Sequence, residues 1–203
     1  MKTVYKIETE RTIIRCYNPS DALLLKEAVD LSLEHLKPWL PWAKYEPQTV
    51  EEKIDLLRTF RGQFDLNKDY IYGIFNKDET ELIGGTGLHP RLAKNAREIG
   101  YWVSEKYQHQ GFITEVVKAL IKTGFDILDL NLIEIRCNPE NIRSSKIPEK
   151  LGFELEATLK DRLVDGEIRD TMIWSMFKDV YQNLDIKNIS IKAYDATNNE
   201  IIF

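Results

Sequence analysis

Groups able to do chemistry gather first in YWVSEKYQHQGFITEVV, residues 101–117. The stretch opens like a buried strand, passes through a polar turn holding Gly111, and runs on as a helix. A helix N-terminus offers about four backbone N–H groups without internal partners, together with the positive end of the helix dipole. That arrangement suits a phosphate. The loop Gln108-His109-Gln110-Gly111-Phe112-Ile113-Thr114 carries one glycine and no Gly-Lys-Thr/Ser, so it is neither a P-loop nor a Rossmann fingerprint. An ordinary strand-to-helix turn capped by Thr114 fits the same letters. Further along, Asn141 and Ser144 offer an amide and a hydroxyl, either to cap a short helix or to reach a ligand. Ser144 can donate a proton. Glu98 and His89 can accept one, and each also reads as a solvated strand-end or turn residue. Cys16 and Cys137 are far apart and lack metal-type spacing, so they read as two buried free thiols. His35, His89 and His109 do not cluster, and no metal site is expected.

The elements that must hold these groups follow from pattern. Thr12–Tyr17 reads as a strand, and Asp21 as the cap of a helix over Ala22–Leu33. Residues 35–48 contain Trp39, Trp42, Tyr45 and three prolines, a composition that cannot form a regular helix. Thr49 and Glu52 make a capping-box pattern for a helix reaching Leu66. Tyr70–Asn76 and Glu81–Leu88 read as strands around the turn 77–80. The three glycines of the second strand signal a bulge or a close approach of another backbone. After the loop Pro90–Ala96, Glu98–Ser104 is the fourth strand. Thr114–Leu128 is a helix with Val117, Leu120, Ile121 and Leu128 on one face. Leu132–Cys137 is the fifth strand. Ser145–Leu151 is a short helix stopped by Gly152, with Pro148 placed in its first turn. Phe153–Val164 and Arg169–Phe177 are strands about the turn Asp165–Gly166. This order predicts a mixed α/β domain, with a mostly antiparallel sheet and one strand–helix–strand crossover.

Composition narrows the function. The chain has 203 residues, 43% hydrophobic, which suits one domain over 1–182 with a tail over 183–203. A net charge of −5 offers no basic footprint for nucleic acid. The N-terminus has no signal-peptide pattern, and no apolar run is long enough to cross a bilayer, so a cytoplasmic protein without membrane partners is expected. The tail reads as an extra strand, an unstructured end or a dimer arm, which leaves a homodimer among the partners the sequence allows.

Four short motifs in order carry a resemblance to a known family. They are Ile99-Gly100-Tyr101-Trp102, Gly111-Phe112-Ile113-Thr114-Glu115, Asn141-Ile142-Arg143-Ser144 and Glu149-Lys150-Leu151-Gly152-Phe153, with Pro38-Trp39-Leu40-Pro41-Trp42 upstream. Over residues 8–180 the chain resembles the GNAT superfamily of acyl-CoA N-acyltransferases, in its ribosomal-protein (alanine/serine) N-terminal acetyltransferase branch. One departure is Ile113, where the family's loop has a small residue.

The resemblance implies the GNAT fold, with splayed fourth and fifth strands flanked by helices, and acetyl-CoA as cofactor. It implies that the amides of His109–Thr114 hold the pyrophosphate, after Gln108 and through Gln110, Gly111, Phe112 and Ile113. It implies that the backbone of Tyr101, Trp102 and Val103 pairs with the pantetheine arm. It gives Asn141 to the pantetheine, Lys146 to the phosphates and Ser144 to the sulfur as proton donor. Trp39 and Trp42 wall the acceptor pocket. Glu98 or His89 serves as base, and the N–H of Val103 holds the oxyanion. The family's alternative base, a glutamate on the strand after Phe153, falls on Leu163 here. The implied reaction is direct attack of an amine on the thioester. A peptide α-amine, with a pKa of about 7.7–8.0, needs little help to lose its proton, whereas a lysine near 10.4 needs more. The resemblance to the ribosomal-protein branch implies a protein N-terminus as acceptor. A small-molecule amine, or a non-catalytic role as a CoA sensor, stays open.

Overall fold

Nine strands form one sheet in the computed structural model, which describes residues 3–91, 93–164 and 166–203, with only the backbone of Leu163, Val164 and Glu167. They are β1 (Lys6–Glu8), β2 (Ile13–Cys16), β3 (Tyr70–Phe75), β4 (Leu82–Pro90), β5 (Ala96–Val103), β6 (Leu132–Cys137), β7 (Glu154–Val164), β8 (Glu167–Phe177) and β9 (Lys192–Tyr194). Their order across the sheet is β7-β8-β6-β5-β4-β3-β2-β1-β9. Every neighbouring pair is antiparallel except β5–β6, which the chain joins through a helix. This is the mixed α/β, mostly antiparallel sheet with one crossover that the pattern predicts.

Alternation sets what each face buries. Ile14 belongs to the larger core with Val116, Val117 and Leu120. Its neighbour Ile13 points the other way, to Leu25, Val29 and Leu57. Helices α1 (Ala22–Asp30) and α3 (Val50–Asp65) serve the second core, while α4 (Phe112–Lys122) lies in the first. Val117, Leu120 and Ile121 of α4 are fully buried and Leu128 nearly so. Each contributes about 1.5–3 kcal/mol of burial, which fixes the helix, and hence its N-terminus, against β5.

Several local details differ from the sequence expectation. The helix from Ala22 stops at Asp30, because the Ser32 hydroxyl donates to the Ala28 carbonyl (2.6 Å) and accepts from the Glu105 N–H (3.0 Å). A one-turn helix, α2 (Leu33–Leu36), and a 3₁₀ turn over Pro41–Tyr45 follow. Asp21 does not cap with its side chain. The carboxylate goes instead to Arg15 (2.7 and 3.0 Å) and to the Asn18 N–H (2.8 Å). The capping box at α3 is present, with Glu52 N–H on Thr49 Oγ1 (3.2 Å) and Thr49 N–H on the Glu52 carboxylate (2.7 Å). The ion pair of Lys53 with Glu46, both nearly inaccessible, ties the end of the 35–48 segment to α3. Residues 183–203 supply β9 on β1, and Ile186, Ala193 and Ile201 enter the larger core. Asp165 of the expected turn, and the side chain of Leu163, lie outside the described residues.

Candidate active site

Strands β5 and β6 pair in parallel only at Ala96–Leu132, Arg97–Ile133 and Glu98–Glu134. Beyond that rung they part, although β6 stays paired to β8 through Cys137 and β5 to β4 through Val103. The Ser104 N–H bonds to the Ile83 carbonyl (2.8 Å), which sets the phase of the antiparallel ladder. By alternation Trp102 and Gly100 direct their backbone groups at β4, and Tyr101 and Val103 direct theirs into the gap. A cleft of about 770 Å³ occupies that gap. An unpaired strand edge lining a cleft is a template for an extended ligand with amide groups.

At the mouth of the gap stands α4. Its N-cap is Gly111, at φ 80, and the structure corrects the expectation that Thr114 caps it: Thr114 lies in the first turn. Gly111 suits this left-handed conformation, and a Cβ there would meet nothing closer than Arg11 Nη2 at 3.7 Å, so the loop's backbone is open. The loop is braced from behind. Glu115 Oε1 accepts from Thr9 Oγ1 (2.6 Å) and the Arg11 N–H (3.0 Å), and its Oε2 accepts from Arg11 Nε (2.6 Å). Arg11 Nη1 donates to the Gln110 carbonyl (3.0 Å), and its guanidinium lies over the Phe112 ring (4.4 Å). Burial pushes the Glu115 carboxyl up, but these bonds hold it below its ordinary value. Ile113, the residue at odds with the family pattern, is 8% exposed and packs into the larger core. Its bulk therefore points inward while its backbone stays at the helix N-terminus.

Helix α5 (Ile142–Leu151) forms the opposite lip. Asn141 is its N-cap, with Oδ1 accepting the Ser144 N–H (3.1 Å), which leaves the amide NH₂ for the cleft. Ser144 Oγ donates to Tyr101 Oη (3.2 Å), and Tyr101 Oη donates to the Ser144 carbonyl (3.0 Å). Arg143 Nη1 donates to Gln108 Oε1 (3.0 Å) and so joins α5 to the loop. Lys146 has no hydrogen bond or ion pair among the described residues. Pro148 is the seventh residue of α5, not a first-turn residue, because the helix begins three residues earlier than expected.

On the other face of the sheet, Glu98 and His89 stand directly opposite each other on β5 and β4. Glu98 is ion-paired with Arg91 and with Arg136 (3.3 Å). Burial raises its carboxyl above the ordinary value, and Arg91, Arg136 and His89 pull it back without cancelling that rise. His89 Nδ1 meets the Asp69 carboxylate (2.9 and 3.1 Å). Its ring lies where a Cβ on Gly87 would be 2.6 Å away, and Trp102 lies likewise over Gly85, at 2.4 Å. At these two glycines the close neighbour is a side chain, whereas a Cβ on Gly84 would run into the backbone of Trp102 and Val103, the approach by another backbone that the sequence predicts. Trp42 meets Trp102 edge-on (6.0 Å, 65°), and Arg169 Nη1 donates to the Trp39 carbonyl (3.0 Å).

Of the residues singled out in the sequence, Trp39, Glu98, Tyr101, Trp102, Val103, Gln108, His109, Gly111, Phe112, Ile113, Thr114, Asn141, Ser144 and Lys146 line the one cleft. His89, Gln110 and Trp42 stand outside its lining. Asp69, Arg143 and His35 were missed. His35 Nε2 lies 3.0 Å from the Val103 carbonyl, so it is the donor, and its buried Nδ1 has no partner among the described residues. Signals for them in the sequence are slight: Arg143 sits inside the Asn141–Ser144 motif, whereas Asp69 and His35 act across long sequence separations.

A splayed parallel pair within an otherwise antiparallel sheet, with a helix N-terminus at the mouth of the gap, defines an acyl-CoA-binding transferase fold. The family described as Acetyltransferase (GNAT) domain matches residues 11–154, and the chain belongs to it. It is an acetyl-CoA-dependent N-acetyltransferase. The chain is 30% identical over 172 residues to a putative ribosomal N-acetyltransferase, YdaF, of Bacillus subtilis, covering 83% of this chain and 92% of the relative. It is 27% identical over 177 residues to the [ribosomal protein uS5]-alanine N-acetyltransferase of Escherichia coli, covering 84% and 90%. Its fold is similar to that of the ribosomal L7/L12 α-N-protein acetyltransferase RimL in complex with coenzyme A, with a TM-score of 0.76 at 22% identity over 85% of this chain and 97% of that one.

Proposed function

We propose that this enzyme acetylates the α-amine of a protein N-terminus, of ribosomal-protein type, and that residues 1–182 carry the activity while 183–203 complete the sheet. The observation that carries the site is the free edge of β5: the N–H groups of Tyr101 and Val103 and the C=O of Tyr101 face a cleft that ends at the N-terminus of α4, while His35 holds the Val103 C=O. The residues fit acetyl-CoA, which supplies the activated acetyl thioester. The amides of His109–Thr114 bind the pyrophosphate, and Gly111 keeps that backbone open. Lys146 and Arg143 add positive charge beside it. Tyr101, Trp102 and Val103 line the pantetheine path, with Asn141 donating its amide N–H from the far lip.

The acceptor enters from the face that carries Glu98, where Trp39 walls the cleft and Trp42 supports it through Trp102. Glu98 takes the amine proton, directly or through water. A carboxyl raised by burial is a better base than an ordinary one. His89, held by Asp69, is the second candidate for that proton. The Val103 N–H, or that of Tyr101, stabilises the oxyanion as the amine adds to the carbonyl carbon. Ser144 gives its proton to the leaving sulfur. Burial raises the Cys137 thiol, which keeps it protonated and suits direct attack without a covalent enzyme intermediate. The choice of acceptor rests on the two curated relatives named as ribosomal N-acetyltransferases. With such an acceptor the enzyme works in the cytoplasm.

The test is acetyl-CoA turnover, read as free thiol, on peptides copying ribosomal-protein N-termini and on a panel of amino sugars, polyamines and free amino acids. Turnover on the peptides alone, with the acetyl group on the α-amine by mass spectrometry, supports the proposal. Turnover on small amines alone refutes the acceptor. Binding of CoA with no turnover on any amine refutes the catalytic reading.

A further inference from the structure

One buried hydroxyl has no part in the chemistry so far, that of Tyr101. The ring packs against the larger core, where a phenylalanine would serve equally well. A buried phenol is costly unless it is bonded, and this one makes two bonds, both to Ser144. The reason lies four residues further on. In an α-helix the carbonyl of residue 144 takes the N–H of residue 148. Residue 148 is proline, well inside α5, and has no N–H to give. Pro148 thus leaves the Ser144 carbonyl without its helical donor, and Tyr101 Oη supplies one at 3.0 Å. The same oxygen then receives the Ser144 hydroxyl at 3.2 Å.

We infer that Tyr101 is a positioning residue for Ser144: its hydroxyl, recruited by the carbonyl that Pro148 leaves free, holds the Ser144 hydroxyl at the cleft and supports it when it turns to the leaving sulfur. This rests on the reading of Ser144 as proton donor. At rest the Ser144 proton is directed at Tyr101 Oη. As the nitrogen–carbon bond forms and the carbon–sulfur bond breaks, the electron pair stays on sulfur and sulfur takes the Ser144 proton. The Tyr101 O–H then turns from the Ser144 carbonyl to Ser144 Oγ and stabilises the charge that builds there. Ser144 regains a proton from water, which matches the proton the amine gives up through the base. Burial pushes the Tyr101 phenol above its ordinary value, so Tyr101 is protonated at rest and enters the step as a donor.

Steady-state kinetics of Tyr101→Phe, Ser144→Ala and the double variant test this, using whichever amine the panel identifies. Tyr101→Phe is expected to lower kcat about tenfold, a part of the effect of a positioned acid, with KM for acetyl-CoA within about twofold. In the Ser144→Ala background the same change should have no further effect. Wild-type kcat in Tyr101→Phe, or a loss that adds in full to that of Ser144→Ala, overturns the inference alone. Wild-type kcat in Ser144→Ala overturns the proton-donor reading and the inference with it. Should Tyr101→Phe fail to fold by circular dichroism, 3-fluorotyrosine at position 101 replaces it. A stronger donor of nearly the same size should change kcat and leave KM alone, and an unchanged kcat overturns the inference.

Discussion

Glu98 and Glu134 face each other at the last rung that joins β5 to β6. Two carboxylates at neighbouring positions repel, and the sheet answers with Arg136, which meets Glu134 at 2.8 Å and Glu98 at 3.3 Å. Arg91 adds a second cation to Glu98. This charged knot sits where the strands begin to part. It therefore fixes the closed end of the cleft and keeps Glu98 in contact with it.

The pH dependence of turnover follows from Glu98. A base acts deprotonated, so kcat/KM should rise as pH passes through its pKa. Burial raises that pKa, so the acid limb should lie above the ordinary carboxylate range. Glu98→Gln should remove the limb and lower kcat/KM by about 10²-fold. A limb that survives in Glu98→Gln and disappears in His89→Gln assigns the proton to the His89–Asp69 pair instead.

Glu115, whose pKa shift has the opposite sign, predicts an acid-stability effect. Its folded pKa is depressed, so its contribution is fully present above the unfolded value, about 4.3, and is lost as pH falls through the folded one. Glu115→Gln should cost about 1 kcal/mol at neutral pH, since the clamp is partly exposed, and should flatten the loss of stability on acidification. Denaturant melts at pH 7 and pH 4 measure both. Equal stability loss at the two pH values contradicts the clamp.

Ile113→Ala separates packing from binding. The side chain lies in the core, so truncation should cost about 2–4 kcal/mol of stability. The backbone amide stays, so the affinity of the folded enzyme for acetyl-CoA should hold within about twofold. Thermal melts and calorimetric titration check the two halves. A stable protein with lost affinity would mean that the side chain faces the ligand.

Gly111→Ala tests the loop itself. Alanine at φ 80 costs about 1–2 kcal/mol of strain and shifts the amides at the start of α4. Acetyl-CoA affinity should fall at least about tenfold by titration, and an unchanged affinity would remove the loop from the cofactor site.

The sequence was most legible where the physics is local. Thr49–Glu52, Asn141–Ser144 and the buried face of Val117, Leu120 and Ile121 are fixed by neighbours within one or two helical turns. The motifs around Gly111 and Ser144 marked the cleft. What stayed hidden depends on distant partners. Three residues, Lys6–Glu8, are too few to show alternation, so the pattern does not reveal β1, or with it the Thr9–Arg11 turn that Glu115 grips. Asp21 reads as a cap until Arg15 is seen beside it. His89 gives no hint of Asp69, twenty residues away. The sequence pattern starts this helix at Ser145 and so reads Pro148 as a first-turn residue, whereas α5 begins at Ile142. Only with α5 beginning at Ile142 does the proline withhold a bond that Tyr101 replaces.

The central claim is that acetyl-CoA lies along the free edge of β5 and against the N-terminus of α4. Amide hydrogen exchange with and without CoA tests it most directly. Slowed exchange at Tyr101, Val103 and His109–Thr114, with Trp102 unchanged because it already bonds to β4, is the predicted result. Protection absent from these amides while CoA is bound would contradict the account.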